Sequence, residues 1–193
     1  MRVIVGLAVL LVVLAATGMA ALADVPPNKR TVLGKYLSAK DAHDVVTAER
    51  DKLLFVDVRT GAELILVGAA GEIDVQVPFS EFAEPRAWDA KANRMQMTPN
   101  PNFVADVEAA LARKGLTKAS KVVIMCRSGE RSARAVDTLA KAGFTDVWSV
   151  YDGFEGDSAA DGHRTVNGWK NARLPWSYKL DRAKLSPLSA PIR

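Results

Sequence analysis

Two short uninterrupted apolar runs constrain this chain more than anything else in it: Leu53-Leu54-Phe55-Val56, ending at Asp57, and Val122-Val123-Ile124-Met125, ending at Cys126. A run of that length with no polar alternation marks a strand covered on both faces, and such strands belong to parallel sheets with helices on each side. Helical stripes occupy the intervals. Ser38, followed by Asp41, reads as a helix cap with Ala42, Val45 and Val46 turned inward. Asn100-Pro101 opens a second helix lined by Phe103, Val104, Val107, Ala110 and Leu111 and stopped by Gly115. A third runs from about Ser132 through Ala135, Val136, Leu139 and Ala140 to a stop at Gly143. Residues 73–77 alternate up to Pro78 and read as a more exposed strand, and 146–151 read as one further strand. Alternating strand and helix predicts an α/β fold with a mainly parallel central sheet flanked by helices, and 193 residues suit one such domain.

The apolar content is not all core. Met1 and Arg2 precede an uncharged stretch, 3–23, that closes on the small-x-small sequence Ala21-Leu22-Ala23 before Asp24. This pattern predicts a cleavable secretory signal at 1–23, hence an exported, periplasm-type protein with no stable membrane association after cleavage. The competing reading is an uncleaved anchor, since the stretch is long enough to span a bilayer. The expected domain is 24–178, and 179–193 reads as a basic, mobile tail holding Lys179, Arg182, Lys184 and Arg193 against Asp181. Without that tail and Arg2 the chain is neutral, so the overall +4 gives no basic face for phosphate and no nucleic-acid partner is expected.

Two segments break the pattern. The excursion 79–101 carries Trp88, Met95 and Met97, which fit either a satellite cluster under a long loop or a hydrophobic lip over a site. The insert 155–167 is rich in glycine and carboxylates but lacks EF-hand spacing and reads as a solvated loop. His43 and His163 have no partners at ligand spacing, so no metal is expected.

Cys126 is the only cysteine, so no internal disulfide is possible, and it is either an inert core residue or a reactive thiol. It falls between the end of a buried strand and the start of a helix, in Cys126-Arg127-Ser128-Gly129-Glu130-Arg131-Ser132. Ligands of parallel α/β sheets gather at the carboxyl ends of the strands, where backbone N–H groups and the positive helix end favour negative charge. Gly129 lets the loop curl without a Cβ, Arg127 and Arg131 add positive charge, and Glu130 is expected to point outward. The thiolate form of cysteine is a strong nucleophile.

This loop resembles the CxxGxR loop of the rhodanese family of sulfurtransferases. Leu54-Phe55-Val56-Asp57-Val58-Arg59-Thr60, then Glu63, is similar to the family's first-strand motif, and Gly143-Phe144 occupies its usual place after the active-site helix. The resemblance covers 35–176. It implies a rhodanese-like domain with Cys126 as nucleophile, attacking thiosulfate or a similar small anionic donor and passing the sulfur from a persulfide to a thiol, cyanide or protein acceptor. No resident cofactor is implied. Backbone N–H groups from Arg127 to Ser132 would hold the persulfide anion, and Arg127 and Arg131 would attract the donor. Asp57 and Arg59 are read as tying the preceding strand end to the loop, with a purely structural ion pair as the other reading for Arg59. Arg127 directly after the cysteine, where mercaptopyruvate-type loops tend to have glycine, leans toward an anionic sulfane donor.

Cysteine phosphatases resemble CxxxxxR, one residue longer, and Arg131 comes one position too early for that loop. Residues 71–78 lack the histidine and second glycine of the family's GHIPGA-like segment, and an insert separates Gly153-Phe154 from Gly168-Trp169. These ornaments suit the alternative function, a noncatalytic or slow module that binds a partner or relays sulfur to a protein acceptor.

Overall fold

The computed structural model describes residues 25–83, 87–91 and 93–185; the expected signal at 1–23 and the tail beyond Leu185 lie outside the described residues. In chain order the strands are β1 (Tyr36–Leu37), β2 (Leu53–Asp57), β3 (Ala69–Ala70), β4 (Val75–Gln76), β5 (Ser80–Phe82), β6 (Trp88–Asp89), β7 (Arg94–Met95), β8 (Met97–Pro99), β9 (Lys121–Met125), β10 (Val147–Val150) and β11 (Trp176–Ser177). The helices are α1 (Ala39–Ala48), α2 (Gly61–Val67), α3 (Phe103–Arg113) and α4 (Glu130–Lys141). The central sheet has the order β1-β10-β9-β2-β4, and every pairing in it is parallel.

Both apolar runs are central strands, and their side chains divide between two cores. Leu54, Val56, Val122 and Ile124 face α3 and α4, against Phe103, Val107, Val136 and Leu139. Leu53, Phe55, Val123 and Met125 face α1 and α2, against Ala42, Val46, Leu64 and Trp169. Two covered faces explain the lack of alternation. Ser38 caps α1 in a reciprocal box with Asp41, and Thr60 caps α2 in the same way with Glu63.

From β2 the chain turns to α2 on one face, and from β9 it turns to α4 on the other. Neighbouring strands whose exits diverge leave a crevice at their carboxyl ends. Cys126 stands at its edge.

The segment expected as a more exposed strand is buried except at the partly exposed Asp74: Ile73, Val75, Gln76 and Val77 are each at most 5% exposed. The reason lies in the segment expected as a mobile tail. Leu185 bridges to Gln76 at the edge of β4, Lys184 Nζ donates to Gly71 O, and Leu180 and Leu185 pack on the α1/α2 core. Residues 179–185 thus cover an edge strand. Before them, β11 pairs with β3, and Trp176 lies against Gly68, where a Cβ would come within 2.7 Å of the indole.

The excursion is a two-tier antiparallel hairpin, β5 pairing with β8 and β6 with β7. The insert closes at its neck, where Gly156 and Gly168 pack so tightly that a Cβ on Gly168 would sit 2.5 Å from Gly156 N. Trp169 thereby enters the core as if the insert were absent, its backbone N–H donating to Gly153 O and its indole N–H to Pro175 O.

Candidate active site

Strand β9 delivers Cys126 to the crevice, and the loop after it is held from below. Phe154 N donates to Cys126 O at 2.8 Å, and Glu155 N and Gly156 N both donate to Arg127 O. A Cβ on Gly153 would lie 2.6 Å from Ser128 N, so the two loops touch backbone to backbone. Gly129 is the N-cap of α4 in the left-handed region at φ +99°, and a Cβ there would meet Tyr151 O at 2.0 Å. Only glycine fits both demands. The result is a short turn in which Gly129 N donates to Cys126 Sγ at 3.1 Å, with the first turn of α4 directly behind it. Cys126 is buried, its sulfur beside a backbone donor and a helix N-terminus, the surroundings that stabilise a sulfur anion.

The N-terminal lead takes part. Lys29 is only 4% exposed, its stem passing beside Gly129 and its Nζ donating to Asp157 at 2.6 Å in the insert. Asp152 Oδ1 accepts from Ala39 N and its Oδ2 from Gly168 N, joining the start of α1 to the insert's neck. Burial pushes the Asp152 carboxyl up to about 6, against the opposing pull of those two N–H groups, its own backbone N–H and Lys29.

The charged residues expected around the loop have different roles. Asp57 and Arg59 form a bidentate pair, both with fully buried side chains. Arg59 also donates to Gly68 O at 3.0 Å, and its guanidinium stacks 4.0 Å above Phe154, the residue whose N–H holds Cys126 O. The pair thus braces the loop's support and does not line the cavity. Arg131 is bidentate to Glu63, its Nη1 reaching Oε2 at 2.7 Å. Burial alone would raise Glu63, but hydrogen bonds from Arg131 and Thr60 and the charges of Arg131 and Arg59 bring it to about 2. Arg131 is correspondingly raised: burial opposes its charge, and Glu63, Cys126 and Asp57 outweigh burial. Arg131 therefore spends its fork on α2. Glu130 accepts from Asn28 Nδ2 at 2.7 Å at an exposed position, but it also lines the cavity, so it is not turned wholly outward as expected. Ser128 lines the cavity, and Ser132 is buried with its hydroxyl lacking a hydrogen-bond partner among the described residues.

The Glu63–Arg131 pair carries a stability prediction. A carboxyl held near 2 and released to its ordinary 4.5 on unfolding contributes stability that is complete above pH 4.5 and lost as the pH falls toward 2. That loss amounts to on the order of 3 kcal/mol. Thermal melting between pH 5 and pH 2.5 is expected to fall less steeply in Glu63→Gln than in the unaltered chain. Equal slopes would refute the assignment.

A cavity of about 260 Å³ opens over the sulfur. One wall is the loop and α4, with Arg127, Arg131 and Arg134; the other is the hairpin, with Phe82, Met95 and Met97. Of the two readings left open for the excursion, Met95 and Met97 follow the lip, whereas Trp88 is 60% exposed and not among the lining residues. Sequence reasoning overlooked two lining residues and one pairing. Arg134 sits one helical turn beyond Arg131 and was detectable by that spacing alone. Phe82 lies in a hairpin that has no helical or continuous-strand period, and nothing in the sequence pairs Glu63 with Arg131. Among the described residues no group of acidic, histidine or cysteine side chains could hold a metal ion, and no helix is long and apolar enough to cross a membrane.

Comparison with known proteins gives this geometry its relatives. A model of the rhodanese-like domain matches residues 38–160, well over half of the chain. Thiosulfate sulfurtransferase 16, chloroplastic, of Arabidopsis thaliana is 28% identical over 61% of this chain and 82% of its own length. An uncharacterised protein of Rickettsia prowazekii is 35% identical over a stretch that takes in 30% of this chain and 42% of that protein. The crystal structure of Rv0390 from M. tuberculosis superposes with a TM-score of 0.56 at 29% identity, covering 75% of this chain and 98% of that one.

Proposed function

The chain belongs to the rhodanese-like domain family, and from that premise we propose that it is a sulfurtransferase carrying sulfane sulfur as a persulfide on Cys126, with thiosulfate or a similar anion as donor. The observation that carries this reading is the set of groups around the sulfur: a backbone N–H at 3.1 Å, the first turn of α4, and arginines along the cavity wall. The thiolate attacks the outer sulfur of the donor. A new S–S bond forms, the donor's own S–S bond breaks with its electron pair on the departing sulfite, and the persulfide anion remains on Cys126. Donors fixed in the folded loop stabilise the charge at each stage without reorganising. The acceptor then attacks the outer sulfur and frees Cys126. No resident cofactor enters the cycle.

The noncatalytic or relay reading has one observation in its favour, the apolar lip of Phe82, Met95 and Met97, which suits an acceptor larger than cyanide. Comparing turnover on small thiols with turnover on a protein thiol separates the two.

The primary test is an intact-protein mass spectrum under nonreducing conditions, before and after thiosulfate, with cyanide added last. One added sulfur on the Cys126 peptide, removed by cyanide, is the expected result. An unmodified but alkylatable Cys126 would rule out thiosulfate as donor.

A further inference from the structure

We propose that the donor is gripped by Arg127 and Arg134, not by Arg131, and that this pair selects donors with two negative charges over donors with one. The inference rests on the sulfurtransferase reading above. It starts from which guanidinium groups are committed. Arg131, the arginine of the CxxGxR pattern, has its fork closed on Glu63, and both side chains are largely buried, so the pair presents little net charge to the cavity. Arg127 and Arg134 also line the cavity, both are exposed, and neither side chain makes a hydrogen bond or ion pair among the described residues.

Helical spacing places Arg134 on the same side of α4 as Arg131, one turn further along, while Arg127 rises from the loop beside the sulfur. Two open guanidinium groups thus face one cavity, which Glu63, paired with Arg131, and Glu130, held by Asn28 Nδ2, also line, and whose opposite wall is Phe82, Met95 and Met97. An apolar wall strengthens a charge interaction across from it, and a planar guanidinium matches the oxygens of a sulfonate. A dianion can satisfy both arginines. A monoanion leaves one of them unmatched.

The chemistry keeps the charge in place through the step. Thiolate and thiosulfate together carry three negative charges, and the products, persulfide and sulfite, carry the same three. The sulfonate oxygens bound before attack are those of the sulfite that leaves, so the two arginines act on donor and leaving group alike. Their main expected effect is on the concentration of donor required, not on the maximal rate.

The test measures the rate of sulfur loading on Cys126 by rapid-quench mass spectrometry, using thiosulfate as the dianionic donor and methanethiosulfonate as the monoanionic one. In Arg134→Ala the thiosulfate concentration for half-maximal loading is expected to rise roughly 10-fold, the loss of one charge-assisted hydrogen bond, with little change in the maximal rate. The shift for methanethiosulfonate is expected to be clearly smaller, Arg134→Lys should recover much of the loss, and added salt should weaken thiosulfate capture less in the alanine variant. Melting temperature should not move, because an exposed side chain without a partner is removed. Normal thiosulfate dependence in Arg134→Ala, or equal shifts for the two donors, would overturn the proposal while leaving the sulfurtransferase reading intact. An unaltered protein that loads from neither donor would remove both.

Discussion

Replacing Cys126 with serine is expected to lower sulfur transfer by on the order of 10⁴-fold or more, the scale seen when an enzyme loses its nucleophile. An alcohol cannot take the role, because it is a poor nucleophile at neutral pH, and among the described residues no base is hydrogen-bonded to the Cys126 side chain. The fold should persist. The serine oxygen can accept the Gly129 N–H that now reaches Sγ at 3.1 Å, and the volume change at this buried position is small. Melting within a few degrees of the unaltered protein, together with no added sulfur after thiosulfate, is the predicted pair of results. Substantial sulfur loading in the serine variant would sink the mechanism, and unfolding would show that the position is structural as well.

Asp57→Ala is expected to produce the largest loss of stability of any single substitution considered. Arg59 is fully buried, and all three hydrogen bonds from its guanidinium to side-chain oxygens go to Asp57. Removing the carboxylate leaves a charge in the core with Gly68 O and the face of Phe154 as its remaining contacts. Breaking such a pair costs about 3 to 5 kcal/mol, a large share of the roughly 5 to 15 kcal/mol available to a domain. Chemical denaturation should show it directly. The double variant Asp57→Leu with Arg59→Met removes both charges at similar volume and should recover much of the loss, since a buried pair is often no better than an apolar one. If the double variant is stable yet loads sulfur slowly, the pair braces the Phe154–Cys126 contact as well as the core. If Asp57→Ala is as stable as the unaltered chain, Arg59 is not held as described.

Both substitutions concern residues that the sequence singled out, and the reason is local. Asp57 and Cys126 each end a short continuous apolar run, the signature of a covered strand, and the residue that closes such a strand is delivered to the carboxyl edge of a parallel sheet. Gly129 was legible in the same way, because a strand that turns at once into a helix needs a residue free to adopt a positive φ. Ser38 and Asp41 announced their cap through adjacent positions.

What stayed hidden depended on partners distant in sequence. Alternation in residues 73–77 ordinarily means one exposed face, but Leu185 closes that edge more than a hundred residues later, and no local period can report it. For the same reason 179–193 read as a mobile tail, while in its described part Leu180 and Leu185 had a core to reach. The insert between Gly153 and Trp169 looked like a disruption of the family's spacing, yet the close approach of Gly156 and Gly168 restores it in space.

The sequence by itself determined the alternation of strands and helices, the nucleophile and the glycine that shapes its loop, because these rest on periodicity and backbone conformation over a few residues. Only the tertiary structure decided which arginines are open to a ligand. Arg127, Arg131 and Arg134 carry the same charge, and what separates them is that α2 brings Glu63 to Arg131 and to neither of the others. A side chain's charge is a property of the residue; whether that charge is already satisfied is a property of the fold.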